Sequence, residues 1–189
     1  MTEKDIINLR TYLKRIFKEE AVVTELIFVY VSEQLIIHLG IDLIEAARRA
    51  LHMRNAVTIG NEEIKTAVQL VFPKGLRSKI LEQIDSSVSS YQESVSGGGA
   101  QRSGLVIPPA RIEKLIRYQL GKFRVSKTAS VALAAVLEAV CRELISLSRS
   151  QLPPRKKRIT EYELDEAVRK DPSYRELLKH HIIAAGVVV

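Results

Sequence analysis

The chain of 189 residues has no tryptophan, a single cysteine and only 5% aromatic residues. One cysteine excludes a disulfide framework and a cysteine-built zinc cluster. Scarce aromatics argue against a sheet that stacks bases on exposed rings. The opening ten residues are polar and mixed in charge, with no apolar leader, which points to a protein that is not secreted. The most apolar stretch, Leu26 to Ile44, is interrupted by Glu33, Gln34, His38 and Asp42. Four polar groups in one span argue against a membrane helix. The closing IIAAGVVV is too short to cross a bilayer. No acid, base and nucleophile converge around His38 or His52, so nothing points to an enzyme. Neither a cofactor motif nor a metal-ligand spacing is present. His180 and His181 are adjacent on one strip of chain, and neighbouring positions on a helix point apart.

What is present is positive charge. The 29 Lys and Arg outnumber 22 Asp and Glu, giving a net +7 and a pI near 9.6. An excess of this size suits a polyanionic partner, nucleic acid above all. The excess is uneven. Residues 1–96 carry 12 basic and 13 acidic side chains, a net −1, and residues 97–189 carry 17 and 9, a net +8. Between the halves, QESVSGGGAQRSG (92–104) reads as a flexible linker with a reach of about 20 Å. It is no phosphate loop, because no strand precedes it and no Lys-Ser/Thr pair follows.

The halves repeat each other. Ile59, Glu63, Ile64, Ala67 and Val68 recur 100 residues later as Ile159, Glu163, Leu164, Ala167 and Val168. Leu35, Ile36, Leu39, Leu43, Ile44 and Arg48 recur at 101 as Val136, Leu137, Val140, Leu144, Ile145 and Arg149. Two copies at so long a period mean a duplicated domain. The expected domains are therefore 1–91 and 105–189, joined by 92–104.

Each copy reads as short helix, long helix, short helix, and no strand exceeds three residues. In the first, Ile6 to Glu19 is amphipathic. Thr24 is placed to cap a helix running to Met53, about 40 Å long at 1.5 Å per residue. A break at 55–60 precedes a helix from Asn61 that ends before Pro73, and a more polar helix spans 75–91. In the second copy, Pro108-Pro109 opens a helix ending near Leu120, and Ser126 or Thr128 caps the long helix. Thr160 and Glu163 have the spacing of a capping box, and Asp171-Pro172 opens a terminal helix. The long helices are apolar on more than one side, so each needs cover from several helices. The linker makes pairing of the copies intramolecular. Cys141 shares a face with Leu137 and Leu144, as a core thiol does.

Particular strings carry a family resemblance. Thr58-Ile59 followed by EEIKTAVQLVFP (62–73) and a helix ending at Tyr91 resembles histone 2B. SGLVIPPARIEKLIR (103–117), LAAVLE (133–138), RKKRIT (155–160) and AVRKD (167–171) resemble histone 2A. The whole is similar to the fused 2B–2A doublets of large DNA viruses. The resemblance implies an all-α chain of two histone folds clasped as an intramolecular handshake. It implies packaging of double-stranded DNA without a base code, by phosphate contacts and minor-groove arginines; the nucleosome is the established example of that mode.

The resemblance places DNA contacts at three sites. One joins Lys18 with Arg155, Lys156, Lys157 and Arg158. Another joins Lys122, Arg124 and Lys127 with Arg54. A middle one uses Lys14, Arg15, Arg111 and Arg117. Arg124 and Arg158 are the expected minor-groove residues. RNAVT (54–58) stands where histone 2B is strongly basic, so Arg54 is nearly alone there. A thinned acidic patch of Glu138, Glu143 and Asp171 is implied, as is a histone 3–4-type partner met through His52, Ile182, Ile183 and Gly186. Another copy of the chain would complete an octamer-like particle, in a nucleus, a viral factory or a virion. The contrasting readings are a histone-fold transcription regulator, which would need a base-reading element, and an interaction scaffold with no DNA role.

Overall fold

In a computed structural model the described residues are 7–179. They form nine helices and four two-residue strands: α1 (Arg10–Glu19), β1 (Val23–Thr24), α2 (Leu26–Met53), β2 (Thr58–Ile59), α3 (Asn61–Val71), α4 (Lys74–Glu93), α5 (Gly99–Ser103), α6 (Pro109–Leu120), β3 (Arg124–Val125), α7 (Lys127–Ser150), β4 (Arg158–Ile159), α8 (Glu161–Lys170) and α9 (Pro172–Leu178). The chain is mostly helical, as the periodicity required.

Helix boundaries follow local chemistry. Pro108 precedes α6 and Pro109 occupies its first turn, where a missing N–H costs nothing. Ser126, rather than Thr128, caps α7: its Oγ accepts the Ala129 N–H at 3.1 Å. Glu163 Oε2 accepts the Thr160 N–H at 2.8 Å and its hydroxyl at 2.6 Å, fixing the start of α8. The earlier copy does the same at α3, where Glu63 Oε2 accepts the Gly60 N–H at 2.8 Å. Asp171 Oδ1 accepts the Ser173 and Tyr174 N–H groups at the head of α9. Two expectations shift. α1 starts at Arg10, not at Ile6, which lies outside the described residues. Thr24 is spent in β1, and α2 begins after Glu25.

The chain forms two compact units that are not its sequence halves. One is Gly40–Glu138 with Ile7 and Asn8; the other is Leu9–Leu39 with the chain from Ala139 onward. Each unit draws on both copies and on half of each long helix. The reason is the width of the apolar surface on α2 and α7, which the short helices of one copy cannot cover.

In the first unit β2 runs parallel to β3, pairing Thr58 with Arg124 and Ile59 with Val125. Leu43, Ile44, Leu51, Ile64, Ile112, Leu115 and Leu133 are fully buried in it. Gly40 permits close helix approach, since a methyl there would lie 3.3 Å from Leu137 Cδ1 and 3.5 Å from Leu115 Cδ2. In the second unit β1 runs parallel to β4, pairing Val23 with Arg158 and Thr24 with Ile159. Its core includes Leu13, Ile16, Phe28, Ile36 and Leu39, with the Phe17 and Phe28 rings 5.4 Å apart. Each such side chain contributes about 1.5–3 kcal/mol by leaving water.

Among the described residues α2 alone is long and apolar enough to span a membrane, but 72% of its most apolar window is buried in the protein. Its buried charge is matched: Glu33 accepts the Leu9 N–H at 2.9 Å and Arg10 Nε at 2.6 Å. The linker is more structured than its composition suggests. Within 92–104 the helix α5 forms, Ser103 is buried, and Arg102 bonds the Tyr91 carbonyl at 2.7 Å with its guanidinium 4.2 Å from the Tyr91 ring centre. An Arg–aromatic contact at the end of α4 supplies the order that glycine and serine do not.

Candidate nucleic-acid interface

The strand pairs bring loops from the two sequence copies side by side. In the first unit the Val57 carbonyl accepts the Arg124 N–H and the Ile59 carbonyl accepts the Ser126 N–H, both at 3.0 Å. These bonds fix the backbone that carries Arg124, while its side chain stands exposed and makes no ion pair among the described residues. Lys122 is exposed two residues before it. In the second unit the Ile159 carbonyl accepts the Glu25 N–H at 3.2 Å, and Arg158 is exposed with Glu25 only at 3.9 Å. Arg155 and Lys157, in the loop before β4, and Lys18, near the end of α1, are exposed and without ion pairs among the described residues.

The two arginines occupy corresponding places. Arg124 faces Thr58 across one bridge, and Arg158 faces Val23 across the other. Each paired loop therefore holds one arginine in its bridge, both from the second copy. These two arginines are part of the charge excess of the second half.

Other expected cations are already engaged. Lys127 Nζ and Arg117 both bind Glu113, each at 2.8 Å. The Lys127 hydrogen bond holds the Glu113 carboxyl below its ordinary range; burial opposes it and Arg117 adds to it. Lys156 lies 2.6 Å from Glu163, a carboxylate only 2% exposed. Burial pushes the Glu163 pKa up, but Lys156 and the two Thr160 donors outweigh it and bring it down to about 2. Arg54 reaches Glu63 at 3.3 Å. These four retain charge but enter any anion contact partly neutralised. Lys14 and Arg15 sit exposed on α1 in the second unit, Arg15 over the Tyr12 ring at 5.7 Å. Arg111 and Arg117 sit exposed on α6 in the first unit.

Sequence reasoning missed Glu113 as an organiser of the basic surface. Its i,i+4 spacing to Arg117 was readable; the approach of Lys127 from the next helix was not. It also missed Arg142, which binds Glu19 at 2.7 Å and Glu20 at 2.6 Å.

The expected acidic patch is corrected at one position. Glu138 is only 5% exposed, and its Oε2 accepts the Val106 and Ile107 N–H groups at 2.7 and 2.9 Å. It is a structural carboxylate, because the chain entering α6 needs an acceptor there. Glu143 and Asp171 are half-buried. Burial first, then these two acids, raise the pKa of Tyr174. His52, the expected partner-contact residue, is exposed, and its ring packs edge-on against Phe123 with centres 5.5 Å apart, within the first unit. Ile182, Ile183 and Gly186, together with His180 and His181, lie outside the described residues. Among the described residues no group of three or more His, Cys, Asp or Glu is placed to hold a metal.

Comparison with known proteins gives the family. No family model matches the chain. The chain is 35% identical over 97 residues to a histone 2A of Trypanosoma cruzi, covering 50% of this chain and 72% of that protein. It is 38% identical over 91 residues to a histone 2A variant, 2AX, of Dictyostelium discoideum, covering 47% of this chain and 58% of that protein. Both matches span about half of the present chain. Identity at this level across nearly three quarters of a histone means that the chain belongs to the histone 2A family.

Proposed function

We propose that this chain is a non-enzymatic DNA-packaging histone, a fused 2B–2A doublet in which two histone folds clasp each other. The observation that carries the reading is the placement of Arg124 and Arg158 in the bridges of two corresponding paired loops. A packaging protein reads no base edges, and it needs guanidinium groups held on rigid backbone against the duplex. The two bridges supply that rigidity, and Lys18, Lys122, Arg155 and Lys157 add phosphate-neutralising charge beside them. Lys14 and Arg15 on α1 and Arg111 on α6 add exposed cations, each within its own unit, with Arg54, Arg117, Lys127 and Lys156 contributing through their partly neutralised charge.

In this reading the doublet joins a histone 3–4-type partner, and with a further copy of itself wraps DNA into a nucleosome-like particle. Duplication within one chain and the interleaving of both copies in each compact unit favour the doublet. Such fusion suits a large DNA virus, acting in the host nucleus, a viral factory or the virion.

The test is co-assembly with a histone 3–4-type doublet on duplex DNA, followed by nuclease digestion. A protected fragment of fixed length, independent of sequence, is expected. Sequence-selective binding would make the protein a regulator instead. Absence of binding at low salt would make it a scaffold.

A further inference from the structure

Two cations of the first unit meet on one acid. Arg117 donates from Nε and from a terminal nitrogen to Glu113 Oε1, at 3.0 and 2.8 Å. Lys127 Nζ donates to the other oxygen, Oε2, at 2.8 Å. Each carboxylate oxygen thus serves one cation, as the two free oxygens of a phosphate diester could. The acid is the covered member of the cluster. Its side chain is 13% exposed, against 54% for Arg117 and 68% for Lys127. Both cations remain open to solvent.

Folding does not require an acid at this place. Leu13, Ile16 and Phe17 of α1 recur at a spacing of 99 as Ile112, Leu115 and Ile116 of α6, which aligns Lys14 and Lys18 with Glu113 and Arg117. The corresponding helix of the other copy therefore carries two cations and no acid. Nor does stability explain Glu113. Burial works against its charge, and its partners are exposed, where ion pairs contribute little. Lys127 opens α7, an end at which the helix already presents positive charge. An anion is favoured beside it, and in the free protein Glu113 is that anion.

We propose that Glu113 is an internal competitor for DNA: its carboxylate takes the place of one backbone phosphate between Arg117 and Lys127 and so weakens the grip of the first unit on the duplex. This rests on the DNA-packaging reading and adds a control to it. A phosphate gains both cations only by displacing Glu113. The salt dependence of binding is accordingly shallower than the number of exposed cations implies.

The experiment is duplex binding by the full chain at several salt concentrations, read by fluorescence anisotropy with two labelled DNAs of unrelated sequence. Glu113→Gln keeps the shape of the side chain and removes its charge. It should tighten binding about fivefold at about 0.15 M salt and steepen the log–log slope by about one, as one further phosphate contact does. Glu82→Gln, at an exposed position on α4 of the same unit, makes the same change in net charge. It should alter binding less than about twofold, since salt screens a distant charge. With Arg117→Ala and Lys127→Ala both in place, Glu113→Gln should give no gain, because the cations it restrained are absent. A purely structural role predicts the opposite sign, since a loosened fold binds less well. Binding that Glu113→Gln leaves unchanged or weakens overturns the proposal. So does a gain no larger than that of Glu82→Gln, or one that survives the loss of both cations. Failure of the unmodified chain to bind duplex at low salt overturns the packaging reading itself, and the proposal falls with it.

Discussion

Replacing Glu163 by Gln tests how the loop bearing Arg158 is held. The carboxylate is 2% exposed and ties together three groups: the Thr160 N–H, the Thr160 hydroxyl and Lys156. Its pKa falls from 4.5 to about 2 on folding. At 1.36 kcal/mol per unit the depression corresponds to about 3 kcal/mol of stability. A folded-state pKa below the unfolded one means that this stability is complete above the unfolded value and is lost as pH falls through the folded value. The contribution is therefore whole near neutrality, declines below roughly pH 5, and is largely gone by about pH 2. Glu163→Gln removes it at every pH. Urea unfolding followed by circular dichroism at about pH 7, 5, 3.5 and 2.5 gives the difference between the two proteins. That difference should be about 3 kcal/mol at pH 7 and shrink steadily toward the acid end. A difference that stays constant with pH would show that the carboxylate acts by shape alone and would refute the electrostatic account.

Arg124→Ala and Arg158→Ala should each reduce the log–log salt slope of duplex binding by about one and weaken unrelated sequences equally; a gel-shift titration at several salt concentrations decides, and sequence-dependent loss counts against a packaging role. Glu138→Ala should destabilise the fold by at least about 2 kcal/mol, since the Val106 and Ile107 N–H groups lose their acceptor; chemical denaturation measures it, and a neutral result would return Glu138 to the surface. Gly40→Val should cost about 1–3 kcal/mol through overpacking against Leu137 and Leu115, with an unchanged denaturation midpoint as the contrary outcome.

The part of this protein legible from its residues in order was local. Helix starts at Pro109 and at Thr160 with Glu163, the stop before Pro73 and the terminal helix after Asp171 all rest on chemistry within four residues, so they could be read directly. The duplication was legible because apolar positions recur at spacings of 100 and 101. The candidate cations were legible as residue types, since the loops between apolar helices must be solvated. Their engagement was not. Whether Arg124 stands clear while Lys127 is held by Glu113 depends on which helix passes nearby, and that is fixed by packing. Glu138 shows the same limit: an acid on the long helix reads as a surface group until the incoming chain turns its two N–H groups onto it. The division into compact units was beyond the sequence as well. The repeat placed the sequence boundary at the linker and implied that the copies clasp; which stretches of each copy share a compact unit follows from the broad apolar faces of α2 and α7. Burial is a property of the assembled chain, and which side chains it covers is settled when the helices pack.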